Sequence, residues 1–222
     1  MTLRIDGPAR TVDAERLDAY AAATAFLSRA FLGPPDGPLL VQLSGVGVLA
    51  DWPLSDDRNS RAGLRLLSLS VGTNPESLEQ LSADYQGLFL GPQRVLACLY
   101  KSIYLNKKHL TFGSQTLAVR QWYRRYDLRA PAEGREPDDH IGLELGFVSH
   151  LCLRGLHAMD HAQDAAVTQS VQAIDAFASG HLLLWAHDCL DRVADHASTH
   201  FYRGIAELTR GVLHGLETDF VR

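Results

Sequence analysis

The sequence predicts an all-α protein, a single-domain helical bundle of roughly eight to nine helices over residues 1–222. Three observations support this fold class. Apolar residues recur every three or four positions along most of the chain, which places them on one face of a helix. Capping residues and Gly-Pro stops separate these stretches. Convincing strand alternation and internal repeats are both missing from the sequence.

The first two helices are predicted from their apolar stripes. Asp13 is the N-cap of the first helix, which Gly33-Pro34-Pro35 ends. Its stripe consists of Leu17, Tyr20, Thr24, Leu27 and Phe31. A second helix is expected over about 38–50, although Gly45 and Gly47 weaken the helical pattern there.

The middle of the chain combines one strongly punctuated helix with a long aperiodic stretch. Asn74-Pro75 predicts an N-cap with proline at the first helical position, and Gly91-Pro92 predicts the end of that helix. Its stripe is Leu78, Leu81, Tyr85 and Leu88. From Gln93 to Gly113 the sequence has no sustained period, which predicts an ordered loop containing a short helical or strand-like piece.

The second half of the chain is predicted to be helical on both sides of a linker. Ser114 is expected to cap a helix that ends near Tyr126, and residues 127–137 form a candidate linker between two lobes. Asp138 or Asp139 is expected to open the next helix, whose stripe is Ile141, Leu145, Val148 and Cys152. Three more helices are expected around 165–179, 181–195 and 198–221, the last with Ser198 as its cap and a stripe of Phe201, Ile205, Leu208 and Val212.

Composition and charge narrow the function class. The chain has 46% hydrophobic and 21% charged residues, as an ordinary soluble globular protein does. Its formal net charge of -5 argues against binding nucleic acid through phosphate contacts. The three cysteines are far apart, which predicts buried thiols in a reducing compartment. With no secretory signal pattern and no apolar run of about 18 residues, the protein is expected to be cytoplasmic.

Histidine spacing raises a metal-enzyme alternative. His157 and His161, like His196 and His200, are four residues apart and so share a helix face, but neither pair has the glutamate of the HExxH motif. The His187-Asp188 doublet, with His157 upstream, loosely suggests a helical metal-dependent phosphohydrolase. Such doublets also arise by chance, and no cofactor, metal site or catalytic residue is assigned. Neither a GxSxG elbow nor a phosphate-binding glycine loop occurs in the sequence.

Two local clusters differ from ordinary core or surface. Aromatic residues run from Tyr85 to Phe89 and return at Tyr100 and Tyr104, next to an aperiodic loop. They predict an apolar groove with polar edges, or alternatively a loop that packs on the core through its own rings. The run Glu136-Pro137-Asp138-Asp139-His140 predicts a site for a cationic partner, or alternatively plain capping of a helix start.

These clusters make the chain resemble the TorD/DmsD family of redox-enzyme maturation chaperones. The family pattern has three parts: aromatic-x-x-Leu-Phe-x-Gly-Pro, then Pro-Tyr-x-Ser-x-Tyr, then Glu-Pro-x-Asp-His. This chain matches them at 85–92, 100–104 and 136–140, and similarity extends over about 80–222, nearest to the dimethyl sulfoxide reductase branch. The chain departs from the pattern at Leu99, where proline is usual, and at Lys101, where Glu or Gly is frequent, so its loop and its preferred leader are expected to differ.

The resemblance implies an all-helical chaperone that binds the twin-arginine leader and the apo form of a molybdopterin-dependent oxidoreductase. Such a chaperone delays export until the cofactor is inserted, and it is not an enzyme. The export or molybdopterin-insertion machinery is a further partner that the resemblance suggests. Carried over position by position, the implied leader-binding residues are Tyr85, Phe89, Gly91, Pro92, Tyr100, Ser102, Tyr104, Glu136, Pro137, Asp139 and His140. The oligomeric state is left open between a monomer and a helix-swapped dimer. A leader consists of a basic pair followed by an apolar run, which suits an aromatic groove beside an acidic helix start.

Overall fold

A computed structural model describes residues 3–4, 11–45, 47, 49–91, 95–105 and 113–221 of the chain. These residues contain ten α-helices. They are α1 Ala14–Leu32, α2 Gly37–Ser44, α3 Arg58–Val71, α4 Leu78–Tyr85, α5 Lys101–Leu105, α6 Ser114–Arg125, α7 Ile141–Asp160, α8 Asp164–Gly180, α9 Ala186–His196 and α10 His200–Asp219. The only strands within the described residues are β1 Leu3–Arg4 and β2 Thr11–Val12, a short antiparallel pair. The all-α prediction is confirmed, with ten helices in place of eight or nine.

The core forms where the predicted stripes meet. Helix α1 packs along α7, α3 packs along α10, and α7 also packs against α8. The whole predicted stripe of α1 is buried, and so are those of α7 and of α10 from Phe201 to Val212. In α4 the pattern holds for Leu81 and Tyr85, whereas Leu78 is 43% exposed. One hydrophobic cluster runs from Val12 to Phe220 and includes residues on both sides of 127–137.

Helices α3 and α10 approach closely because glycines face each other at the crossing. A Cβ atom on Gly63 would lie 2.8 Å from the carbonyl oxygen of Gly204. Real side chains do not adopt so short a separation, so both positions need the smallest residue for the helices to pack at this distance.

Several predicted helix starts are wrong by a few residues. Ser77, not Asn74, caps α4 in a capping box with Gln80. The start moves because the backbone of Glu76 is already bonded to Ser70 O of α3 (N–O 2.8 Å). Gly113, not Ser114, precedes α6 without a side-chain cap, and Thr199, not Ser198, caps α10.

Two predicted helix ranges also change. The second helix ends at Ser44 instead of continuing to 50, since the chain turns to extended backbone at Gly45. The stretch predicted as a helix over 181–195 begins with a 3₁₀ turn, Leu182–Leu184, and becomes α-helical only at Ala186. The aperiodic segment contains the short helix α5, as its prediction allowed, while residues 106–112 lie outside the described part.

Candidate functional site

The first wall of the site comes from the turn that follows α4. Residues Gln86–Leu90 continue α4 as a π-helical turn, a local distortion that often occurs at functional sites. The turn closes when Gly91, at φ +29°, donates its N–H to the Gln86 oxygen (2.7 Å). Tyr85 donates its hydroxyl to the Phe31 carbonyl (3.1 Å), which fixes its ring beside the end of α1. Pro92 lies outside the described residues.

The rings of this wall pack edge to face. Phe89 lies 5.0 Å from Tyr85, 6.2 Å from Phe31 and 5.5 Å from Tyr202, measured between ring centroids, and each pair is close to perpendicular. This geometry is favourable for aromatic rings and fixes Phe89 in one orientation. The rings therefore pack on the core and also form the first wall of the site.

The second wall is a short bridge between two extended segments. Lys101 donates its backbone N–H to the Asp139 oxygen (3.0 Å), and Ile141 donates to the Leu99 oxygen (2.9 Å). Between these bonds Tyr100 and His140 lie opposite each other, with ring centroids 5.2 Å apart. The second and third parts of the motif, separated by more than thirty residues in sequence, are thus joined through their backbones.

Between the two walls lies a cavity of about 390 Å³, which we call the aromatic cavity. Six of the predicted leader-binding residues line it: Tyr85, Phe89, Tyr100, Glu136, Pro137 and His140. The other lining residues were not predicted from the sequence as part of the site, and they include Leu32, Pro34, Leu90, Leu99 and Leu143. Leu32 and Leu90 are 51% and 62% exposed, so the rim of the cavity is apolar and open to solvent. The linker residues 130–132 close one side.

The polar groups of the cavity have defined protonation states. Burial lowers the pKa of His140 to about 4, so the ring is neutral at pH 7. Its Nδ1 accepts the Gly142 N–H (3.0 Å) and caps α7, which leaves the proton on Nε2 as a donor. Burial, with the nearby Glu136 charge, raises the pKa of Tyr100 to about 12. Glu136 itself is exposed at the rim.

The two aspartates before His140 do not cap α7, contrary to the prediction for its start. Asp139 is fully buried: one carboxylate oxygen accepts the Ser102 N–H and the other the Thr116 hydroxyl, both at 2.7 Å. Asp138 is buried as well and pairs with Arg120. Neither carboxylate lines the aromatic cavity. Asp139 instead ties the start of α5 and the first turn of α6 to the second wall.

Two other predicted residues also lie beside the cavity and not in it. Ser102 is fully buried in α5. Tyr104 donates its hydroxyl to the Cys98 carbonyl (2.7 Å), packs on Trp185 and lines a different surface cavity. Together with Asp139, these residues place the second wall. The motif therefore contains residues that face the cavity and residues that hold its walls.

A buried polar group next to the second wall was not predicted from the sequence. Lys101 is fully buried, and its Nζ lies 2.8 Å from Nδ1 of His181. Glu144, also fully buried, accepts the Trp185 indole N–H (3.2 Å), while its second oxygen has no partner among the described residues. Burial raises the pKa of Glu144 to about 7 and lowers that of His181 to about 4. The one signal of this buried group in the sequence is Glu144, a glutamate among the apolar residues of α7.

The residues of the metal-enzyme alternative lie on exposed helix surfaces. His157 packs against His161 with ring centroids 4.2 Å apart, and His187 and Asp188 are exposed on α9. Across the described ranges, no three His, Cys, Asp or Glu side chains are grouped so that they could hold one metal ion. The same ranges contain no helix with the length and apolarity that crossing a membrane requires.

Comparison with known proteins places these motifs in a family. The sequence model of the family described as nitrate reductase delta subunit matches residues 55–191. The Tat proofreading chaperone DmsD of Salmonella paratyphi A is 27% identical over 197 residues, covering 87% of this chain and 86% of that protein. The chaperone protein TorD of Shewanella pealeana is 28% identical over 193 residues, covering 82% and 81%. TorD of Aliivibrio fischeri is 38% identical over 104 residues, covering 46% and 47%.

Proposed function

We propose that this chain, which belongs to the nitrate reductase delta subunit family, is a cytoplasmic chaperone for a molybdopterin-dependent oxidoreductase. It binds the twin-arginine leader and the apo form of that enzyme, assists cofactor insertion and delays export until maturation is complete. It acts by binding and catalyses no reaction. The relatives support this function over the phosphohydrolase alternative, since those that match most of the chain are named chaperones.

One observation carries the proposal: six of the motif residues converge on a single cavity whose chemistry suits a leader. The aromatic cavity has about 390 Å³ of space, aromatic and leucine walls, and a few polar groups at fixed positions. Binding sites for apolar ligands with a defined orientation have this composition. The apolar run of a leader fits the walls, and the exposed Glu136 carboxylate at the rim complements its basic pair.

The eleven predicted leader-binding residues take three roles in this proposal. Tyr85, Phe89, Tyr100, Glu136, Pro137 and His140 contact the leader directly. Asp139, Ser102 and Tyr104 hold the wall that carries Tyr100 and His140, because Asp139 bonds to the Ser102 N–H at 2.7 Å and Tyr104 anchors Cys98. Gly91 ends the turn that carries Phe89, and Pro92, which follows Gly91, is kept as a contact by resemblance alone.

Apolar burial should supply most of the affinity. A fully buried leucine or phenylalanine side chain contributes roughly 1.5–3 kcal/mol, whereas an exposed ion pair contributes about 0–1 kcal/mol. A neutral acceptor of the leader, such as a backbone carbonyl, can accept from the Nε2–H of His140, which is held toward the site by the cap on Nδ1. Charge should therefore guide the leader into place more than hold it there.

Calorimetric titration with synthetic leader peptides tests the proposal. Replacing the leucines of the apolar run with serine should weaken binding more than replacing the arginine pair with lysine. A larger loss from the arginine change would show that charge dominates, and no binding of the unmodified peptide would refute the proposed function.

His140 allows a matched pair of variants that separates contact from folding. His140→Asn keeps a side-chain acceptor at the N-cap, whereas His140→Ala removes the cap, which costs about 1 kcal/mol of stability. If the ring contacts the leader, both variants should bind it several-fold more weakly. If His140 serves only as the cap, His140→Asn should bind like the wild type.

A further inference from the structure

A second, smaller pocket adjoins the aromatic cavity. It has a volume of about 150 Å³ and shares the lining residues Ala130, Pro131 and Leu143 with the aromatic cavity. Its remaining wall includes Phe147 and the exposed Arg129. A polypeptide that leaves the aromatic cavity past Ala130 and Pro131 therefore meets a further apolar wall on α7.

Four side chains form a ladder beyond Phe147, in which two stacked rings are flanked by one arginine at each end. The Cζ atom of Arg125 lies 4.7 Å from the Trp122 ring centroid, and that of Arg154 lies 5.2 Å from the Tyr126 ring centroid. The two rings between them are nearly parallel, with centroids 6.4 Å apart. Phe147 touches both rings, which connects the ladder to the second pocket.

The ladder holds two guanidinium groups in place while leaving their donors available. Stacking on a ring restricts the side chain but leaves the N–H groups at the edge of the guanidinium plane free for an anion. Among the described residues, the arginines in ion pairs of 4.0 Å or less are Arg16, Arg29, Arg120, Arg124 and Arg210. Arg125 and Arg154 are exposed and belong to none of these pairs. In a chain of net charge -5, this is a local cationic surface.

The negative charge of the aromatic cavity, on Glu136, lies away from the ladder. Glu136 is close enough to Tyr85 and Tyr100 for its charge to raise the pKa of both hydroxyls, which burial already raises. Neither tyrosine borders the second pocket. A bound segment thus meets a carboxylate on the Tyr85–Tyr100 side and guanidinium groups beyond the second pocket.

We infer that the ladder of Arg125, Trp122, Tyr126 and Arg154 binds carboxylates in the client segment that follows the leader's apolar run, and so sets the direction in which the leader lies. This inference rests on the proposed function. The leader's own arginine pair is repelled by the ladder and attracted by Glu136, which leaves one direction favourable. The carboxylates must come from polypeptide after the apolar run.

Four synthetic peptides test the direction by calorimetric titration. The first is a twin-arginine leader ending with its apolar run. The second extends it by a short Gly-Ser segment with two aspartates, and the third has two asparagines instead. The fourth carries the two aspartates before the arginine pair. We expect the second peptide to bind about three- to tenfold more tightly than the third, which corresponds to two exposed ion pairs. Relative to the third peptide, the fourth should gain less affinity than the second does.

Two double variants of equal charge change identify the residues responsible. Arg125→Gln/Arg154→Gln should abolish the advantage of the second peptide over the third and leave the first unchanged. Arg58→Gln/Arg65→Gln, on the exposed surface of α3, should retain the advantage. Roughly 1 M salt should also remove the advantage of the second peptide, because the Debye length then falls to about 3 Å.

The outcomes separate this inference from the proposed function. If the first peptide binds but the second and third bind equally, the inference is overturned while the chaperone function stands. The same holds if the advantage persists in Arg125→Gln/Arg154→Gln, or if the fourth peptide gains as much as the second. If none of the peptides binds the wild type, the proposed function fails, and the inference with it.

Discussion

Replacing Asp139 measures how strongly the second wall is fixed from inside the protein. Its two carboxylate oxygens accept the Ser102 N–H and the Thr116 hydroxyl at 2.7 Å in a fully buried position. A hydrogen bond to a charged group contributes about 1.5–3 kcal/mol, and an abandoned buried donor is costly. We therefore expect Asp139→Ala to lower the free energy of unfolding by about 3–5 kcal/mol.

Asp139→Asn should be much milder. Its amide oxygen can still accept from Ser102, and its NH₂ group can donate to the Thr116 oxygen, so only the charge is lost. We expect a loss of about 1–2 kcal/mol, and a weaker effect on leader binding than that of Asp139→Ala, because in the proposed site Asp139 holds Tyr100 and His140 and does not contact the leader.

Urea unfolding monitored by circular dichroism, paired with leader titrations, gives both quantities. Asp18→Ala is a suitable control, since Asp18 is exposed on α1 and its replacement should change stability by less than about 0.5 kcal/mol. The assignment would be refuted if Asp139→Ala unfolded like this control. Weakened binding with unchanged stability in Asp139→Asn would instead make Asp139 a direct contact of the leader's guanidinium.

Three further predictions concern protonation and packing. The His140 ring should titrate in an NMR experiment with a midpoint near pH 4, because burial lowers its pKa, and a midpoint near 6.5 would contradict its placement. Burial raises the pKa of Glu144 from 4.5 to about 7, so the unfolded chain releases this proton first and the wild type loses stability as the pH rises through that range. The free energy of unfolding of Glu144→Gln should therefore rise relative to the wild type between pH 4.5 and 7, by up to roughly 3 kcal/mol, and pH-independent differences in urea unfolding would disprove this. Gly63→Ala should cost about 1–3 kcal/mol, because its Cβ would lie 2.8 Å from the Gly204 oxygen, whereas Gly87→Ala has open space and should change stability by no more than about 1 kcal/mol; equal melting temperatures would contradict the close crossing of α3 and α10.

Periodicity predicted the helices well, and local chemistry predicted their starts less well. The stripe from Leu17 to Phe31 is buried as expected, because burial of one helix face leaves a direct trace in residue spacing. The cap at Asn74 was wrong because the chain around Glu76 is held by Ser70 of α3 and by the start of α10, where Glu76 accepts the His200 N–H (2.6 Å). Contacts between residues distant in sequence are invisible to a local capping pattern.

The candidate site was predictable in its members and not in their arrangement. The motifs named six residues of the aromatic cavity, but Leu32 and Leu143 lie in helical sequence outside the predicted stripes and outside the motifs, so nothing in their spacing marks them as part of a site. Lys101 could not be foreseen as a buried side chain, because its neighbours Glu144 and His181 are distant in sequence and are brought to it only by tertiary packing. A buried polar group assembled by tertiary contacts leaves no periodic pattern in the sequence.

The alternation of extended backbone explains why the motif mixes contact residues with supporting residues. Where two segments pair as extended chains, successive side chains point to opposite faces. At the bridge, Tyr100 and His140 take the face toward the aromatic cavity, while their neighbours Lys101 and Asp139 take the face toward the protein interior. The cavity wall therefore constrains both residues of each adjacent pair. Tyr100 and His140 supply the chemistry of the wall, and Lys101 and Asp139 anchor it to the interior. Adjacent motif positions such as Asp139 and His140 should accordingly respond differently to substitution, the first mainly in stability and the second mainly in affinity.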